Sequence, residues 1–126
     1  MYDLQIKRVY DDLSMIHGKR VLVDRIWPRG VSKDKLALDS WEKAITPTTD
    51  LRKAFNHRPE KFAWFKQEYL NELAANPAVP IFVAQLQQWL QTEEVVLLYA
   101  SKDPIYNHVV ILREYLRTQL AKKEAL

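Results

Sequence analysis

Apolar residues fall along this chain in two rhythms, short continuous runs and a three-to-four-residue stripe. The runs are "RVLVDRI" (20–26) and "EVVLLYA" (94–100), the pattern of strands covered on both faces. "YDLQIKRVY" (2–10) alternates Leu4 and Ile6 with polar residues before reaching Val9, and gives a third strand. "LALDSWEKAI" (36–45) fits either a short helix or a further strand. "TTDLRKAF" offers threonine N-caps and places Asp50 where a helix dipole favours negative charge. "RPEKFAWFKQEYLNELAANP" puts Pro59 at a first helical position, with Phe62, Phe65, Tyr69 and Leu73 on one face. "PIFVAQLQQWLQ" does the same with Phe82, Leu86, Trp89 and Leu90, and "NPAVP" (76–80) reads as the connection between these two helices. The last helix follows "KDP" and carries Val109, Leu112, Leu116 and Leu120 inward. The pattern predicts an α/β fold with a single three-layer domain over 1–126, a small mostly parallel or mixed sheet flanked by helices.

Composition narrows the chemistry. Hydrophobic residues make up 48% and charged residues 28%, ordinary for a globular chain. Charges at Lys7, Arg8, Asp11 and Asp12 interrupt any signal peptide, and no apolar run approaches the roughly 20 residues of a membrane span, so a cytoplasmic location is expected. The chain has no cysteine, which removes thiolate catalysis and disulfides. His17, His57 and His108 show no metal-ligand spacing, and two glycines cannot make a phosphate loop or dinucleotide fingerprint. No cofactor or metal is therefore expected. The net charge of +3 comes from 19 basic and 16 acidic residues spread along the chain, unlike a dedicated nucleic-acid binder.

Three polar clusters remain. In "VVLLYASKDP" a strand runs into a turn, with Asp103 a natural N-cap and Pro104 the first helical residue; Lys102, Asn107 and His108 lie near that helix start, where backbone N–H groups favour anions. If the strands at 20–26 and 94–100 are parallel, "DRIWPRG" emerges at the same edge, the edge where ligands gather in open α/β sheets. Asp24 and Arg25 then point to opposite sides, so one of them faces the crevice. Arg25 or Arg29 can clamp a carboxylate or phosphate, and Trp27 can stack on a planar group. The structural alternative is an Asp24–arginine ion pair, Trp27 as a core plug and 28–30 as a turn. The third cluster, "NHRPEKF", places His57 between two helices, as a cap or as a proton carrier.

"RVLVDRIWPRGVSK", "LRKAFNHRPEKFAWFKQEYLNEL" and "VVLLYASKDPIYNHVVILREYL" resemble the YeaO-like family of small bacterial proteins of unknown function. The likeness runs nearly the whole chain and is weakest at 10–19. It implies an intracellular α/β domain, with recurrent positions matching Asp24, Arg25, Trp27, Pro28, Arg29, Gly30, His57, Pro59, Lys102, Asp103, Asn107 and His108. It supplies no activity. More distant relatives carry cysteine where this chain has Asn107, so no thiol mechanism transfers.

The expected function is binding of a small anionic ligand, phosphate- or nucleotide-like, at the carboxyl edge of the sheet. Arg25, Trp27, Arg29, Lys102 and Asn107 would be the binding groups. If hydrolysis or group transfer occurs there, His108 or His57 moves the proton and Asp24 or Asp103 orients it. The alternatives are a nucleic-acid-binding module and a protein-interaction module, as monomer or homodimer. Convergence of these residues on a concave pocket favours the first, a flat basic face the second, and an exposed apolar patch around Trp27 the third.

Overall fold

In a computed structural model describing residues 1–125, four strands form one parallel sheet. They are β1 (Leu4–Arg8), β2 (Lys19–Leu22), β3 (Ser40–Trp41) and β4 (Val95–Tyr99), in the spatial order β1-β4-β2-β3. The helices are α1 (Lys33–Leu36), α2 (Thr49–Phe55), α3 (Phe62–Ala75), α4 (Ala78–Trp89) and α5 (His108–Glu124). The α/β class read from the sequence is the class observed. All five residues of the central strand β4 are buried, which is why it reads as an unbroken apolar run.

Alternation along β2 and β4 divides the core in two. Val21, Val95, Leu97 and Tyr99 face α2 to α5, packing against Phe55, Phe65, Tyr69, Leu86 and Leu112. Leu22, Val96 and Leu98 face the other way, onto Val9, Leu13, Val31 and Leu36. The three layers are thus unequal: four helices cover one face, while α1 and loops cover the other. Among the described residues no helix is long and apolar enough to cross a membrane.

Several boundaries differ from the sequence expectation, each for a local reason. β2 stops at Leu22 rather than reaching Ile26, because beyond Val23 the Asp24 carboxylate, not backbone, takes the neighbouring amide of Ala100. The ambiguous stretch 36–45 is neither one helix nor one strand: it divides into the end of α1, the two-residue β3 and a 3-10 turn at Lys43–Ile45. Pro59 opens a 3-10 turn (Pro59–Lys61) ahead of α3. The proposed 76–80 connection shrinks, since Ala78 to Pro80 form the first turn of α4, where a proline lacks no needed donor; the Asn76 carbonyl oxygen Oδ1 accepts from the Ala78 amide there. Gly18, before β2, is fixed by proximity: a Cβ on it would lie 1.9 Å from the Glu94 carbonyl oxygen.

Candidate functional site

Because β2 and β4 run parallel as neighbours, the segments leaving them share one rim of the sheet. Asp24 and His108 meet there. Asp24 Oδ2 accepts from the Ala100 amide at 2.8 Å, and Oδ1 lies 3.3 Å from His108 Nε2. His108 Nε2 is also 2.6 Å from the Val23 carbonyl oxygen; a carbonyl only accepts, so this nitrogen carries the proton. The Asp24 carbonyl in turn accepts from Trp41 Nε1 at 2.7 Å. The two side chains are 14% and 15% exposed. The arrangement ties the exit of β2 to the exit of β4 and to the first residue of α5.

The start of α5 corrects the sequence expectation. The N-cap is Asn107, not Asp103, and Pro104 lies outside the helix. Buried Asn107 accepts from the Val110 amide at 3.0 Å and donates through Nδ2 to the Asp103 carbonyl at 2.7 Å. Its side chain therefore occupies the helix end that was expected to receive an anion. Asp103 caps a separate turn, accepting from the Ile105 and Tyr106 amides at 2.9 Å each. These bonds, Tyr106 first and then Ile105, hold its carboxyl below the usual aspartate range. Both residues are good caps, and the burial of Asn107 decides between them.

Asp24 and Arg25 do part company, although both lie beyond the end of β2, where strand alternation no longer fixes them. Arg25 turns from the β4 exit and donates from Nε to the Pro47 carbonyl at 3.1 Å and from Nη2 to the Thr46 carbonyl at 3.2 Å. Nearby, the buried Tyr69 hydroxyl donates to the Ile45 carbonyl at 2.6 Å, and burial pushes that phenol well above its ordinary range. Trp27 is half-buried, donates to the Val31 carbonyl at 2.7 Å and packs edge-on against Trp41. Gly30, with φ of 75°, closes the turn in a conformation that favours glycine. Arg29 and Lys102 are exposed. His57 is exposed as well; Asn56 before it is the α2 C-cap, and the imidazole lies near the Phe55 ring, with no hydrogen bond to His108. The third cluster nevertheless reaches the rim, through an edge contact of Phe62 with Tyr106 at 5.3 Å between ring centroids.

Two residues at this rim escape the sequence reading. Arg8, the last residue of β1, donates from Nε to the Ala100 and Ser101 carbonyls at 3.3 and 3.0 Å, and its guanidinium lies 4.7 Å over the Tyr10 ring. The Tyr10 hydroxyl donates to the Arg29 carbonyl at 2.9 Å. The Nη groups of Arg8 have no protein hydrogen-bond partner among the described residues. The signal was present in "KRVY", where residues two apart at a strand end share a side. The adjacent Tyr99 hydroxyl is pushed up by burial and then by Asp11, with Arg8 opposing.

One surface hollow is lined by α3, α4 and α5 residues including Val79, Tyr115 and Lys122; another adjoins the rim at Tyr10 and is lined by the 10–14 loop, Arg20 and Lys35. Among the described residues no three or more His, Asp and Glu side chains group so as to hold a metal ion.

The chain matches, over residues 3–125, the family described as "Inactive DUF488-N3 subclade" (DUF488-N3i). It is 42% identical over 116 residues to the "Uncharacterized protein YeaO" of Escherichia coli (strain K12), covering 92% of this chain and 98% of that protein. It is 34% identical over 113 residues to the uncharacterized proteins Rv3073c of Mycobacterium tuberculosis (strain ATCC 25618 / H37Rv) and Mb3100c of Mycobacterium bovis (strain ATCC BAA-935 / AF2122/97), covering 90% of this chain and 92% of each. No solved structure is significantly similar to it. With the family match spanning almost the whole chain, this protein belongs to the YeaO-like members of the DUF488-N3i family.

Proposed function

We propose that the chain is a non-catalytic binding domain that takes an anionic group, phosphate or carboxylate, on the carboxyl rim of its sheet through Arg8, Arg29 and Lys102. The observation that carries this is the state of Arg8. Its Nε is anchored on two carbonyls and its face lies over Tyr10, so the guanidinium is pre-oriented while both Nη groups keep their donors. Those anchors also bring the backbone at the other two cations near Arg8 and Tyr10. Lys102 follows Ser101, which accepts from Arg8, and the Arg29 carbonyl holds the Tyr10 hydroxyl.

Hydrolysis or group transfer fits this rim less well. His108 holds its Nε2 proton on Val23 beside Asp24, Asp103 is engaged with two amides, and His57 stands apart from both. The word "Inactive" in the family description agrees with that.

The test is the melting temperature of the chain with inorganic phosphate, sugar phosphates, nucleotides and organic acids, since a ligand that binds only the folded state raises it. The expected result is a rise that disappears in Arg29→Ala/Lys102→Ala and in Arg8→Gln. A rise that survives in all these variants would place the anion elsewhere and overturn the reading.

A further inference from the structure

We infer that the hollow between α3, α4 and α5 is a second binding site, separate from the rim, for a small organic acid with a compact apolar body. The hollow arises from side-chain size. Ala74 of α3 and Val79 and Val83 of α4 line it with short side chains, and a space of about 300 Å³ is left beside α5. That volume stands at the lower end of the range of small-molecule sites, roughly 300–1,000 Å³. From α5 the wall takes Tyr115, Gln119, Lys122 and Lys123, at positions i, i+4, i+7 and i+8 of one helix stripe. This stripe runs beside Leu112, Leu116 and Leu120, whose burial fixes how the helix is turned. The Tyr115 ring is itself packed against the core.

Apolar and cationic groups share this one wall, and that selects the occupant. Buried Val79 and Val83 supply the apolar part, while the α5 stripe runs about 12 Å from a phenol to two ammonium groups. Among the described residues no Asp or Glu lines the hollow. The acids that adjoin its residues in the chain are placed otherwise: Glu72 accepts from the Thr48 amide and hydroxyl, Glu114 pairs with Lys66, and Glu124 is not part of the wall. Lysines in a last turn also offset the helix dipole, but among the described residues neither is in an ion pair. At the start of α4 the Ala78 and Val79 amides already donate to Asn76, which leaves the anion to the lysines. A nucleotide or sugar phosphate would set hydroxyls against valines that cannot bond them, and a second copy would bring two lysine pairs together. A carboxylate on a single ring or a short branched chain satisfies both parts of the wall.

The experiment is an amide-resonance titration of the full chain with phenylacetate, against phenylacetamide, which lacks the charge, and acetate, which lacks the ring. The expected result is saturable shifts confined to residues 73–83 and 115–123, with both controls weaker by about tenfold or more. Lys122→Ala/Lys123→Ala should bring phenylacetate down to the level of phenylacetamide. Ala74→Phe, at an exposed position, should fill the hollow and abolish the shifts. Arg29→Ala/Lys102→Ala should leave them unchanged, which separates this site from the rim. Equal binding of either control, absence of saturable shifts, or unchanged binding in both hollow variants overturns the proposal. Phenylacetate shifts confined to residues 8–10, 29 and 101–103 overturn it and leave the rim as the acid's site. Larger shifts of the hollow residues with anionic vesicles than with phenylacetate overturn it in favour of a membrane surface.

Discussion

Arg25 and Arg29 carry the same guanidinium four residues apart, and live in opposite circumstances. Arg25 bonds two backbone carbonyls, and beside it stands an inner tier of Asp24, Trp27, Asn107 and His108, each with a side-chain hydrogen bond to the protein. Arg29 stands in solvent with an outer tier of Lys102, Ile26, Ile105 and the Nη groups of Arg8. One heptapeptide, "DRIWPRG", feeds both tiers. An acid, a histidine and an arginine near one sheet edge look equally chemical in sequence, yet here the buried ones join strand exits. A contact that holds the fold and a contact that awaits a partner differ by where the donors end, not by residue type.

If the inner tier is structural, breaking it should cost stability first. Asp24→Ala would leave the Ala100 amide without its acceptor and the His108 ring without the carboxylate beside it, the Asp24 and His108 side chains both being about 85% covered, and should destabilise the chain by about 2–4 kcal/mol. Urea unfolding followed by circular dichroism measures this. Asp24→Asn keeps an acceptor for Ala100 and should lose less; an Asp24→Ala chain as stable as the parent would undo the division into tiers.

Arg25 comes next. Arg25→Ala removes two charge-assisted bonds to the carbonyls of buried Thr46 and Pro47, with an expected loss of about 1–3 kcal/mol. Arg25→Lys should recover little, because one ammonium cannot reproduce the forked geometry. The same unfolding measurement distinguishes this from Arg29, where Ala should change stability by less than about 0.5 kcal/mol. A large effect at Arg29 together with none at Arg25 would exchange the two residues' roles.

Much of this fold was legible, and the reasons are local. β4 announces itself because both its faces are covered, and the common rim follows once β2 and β4 are parallel neighbours. The opposite courses of Asp24 and Arg25 match what alternation suggests, but the strand ends at Leu22, and their separate hydrogen bonds set them. What each side chain bonds was not legible. Arg8 and Arg25 are held by main-chain carbonyls of Ala100, Ser101, Thr46 and Pro47, and a carbonyl leaves no mark on a pattern of side chains. The α5 boundary failed differently: Asp103-Pro104 and Asn107 are both sound helix starts, and only the packing that buries Asn107 decides.

The smallest expected effect lies at the border of the tiers, in Asp103. Its carboxyl is held below the ordinary aspartate range by the Tyr106 and Ile105 amides, so the folded turn binds its proton less readily than the unfolded chain does. The turn's stabilisation is therefore fully present above the unfolded carboxyl value and fades as pH falls through the folded one. Because the group is only partly buried and its bonds stay within its own turn, the consequence should be local and leave the global unfolding curve almost unmoved. Amide resonances of Ile105 and Tyr106, followed on acidification, should move together with a midpoint below that of an aspartate in a short peptide. In Asp103→Ala that titration should vanish and both amides should exchange faster at neutral pH, while the Val110 amide, capped by Asn107, keeps its protection. Loss of protection at Val110 as well would mean that Asp103 supports α5 after all, and that the turn carrying Ile105 and the helix carrying His108 act as one unit.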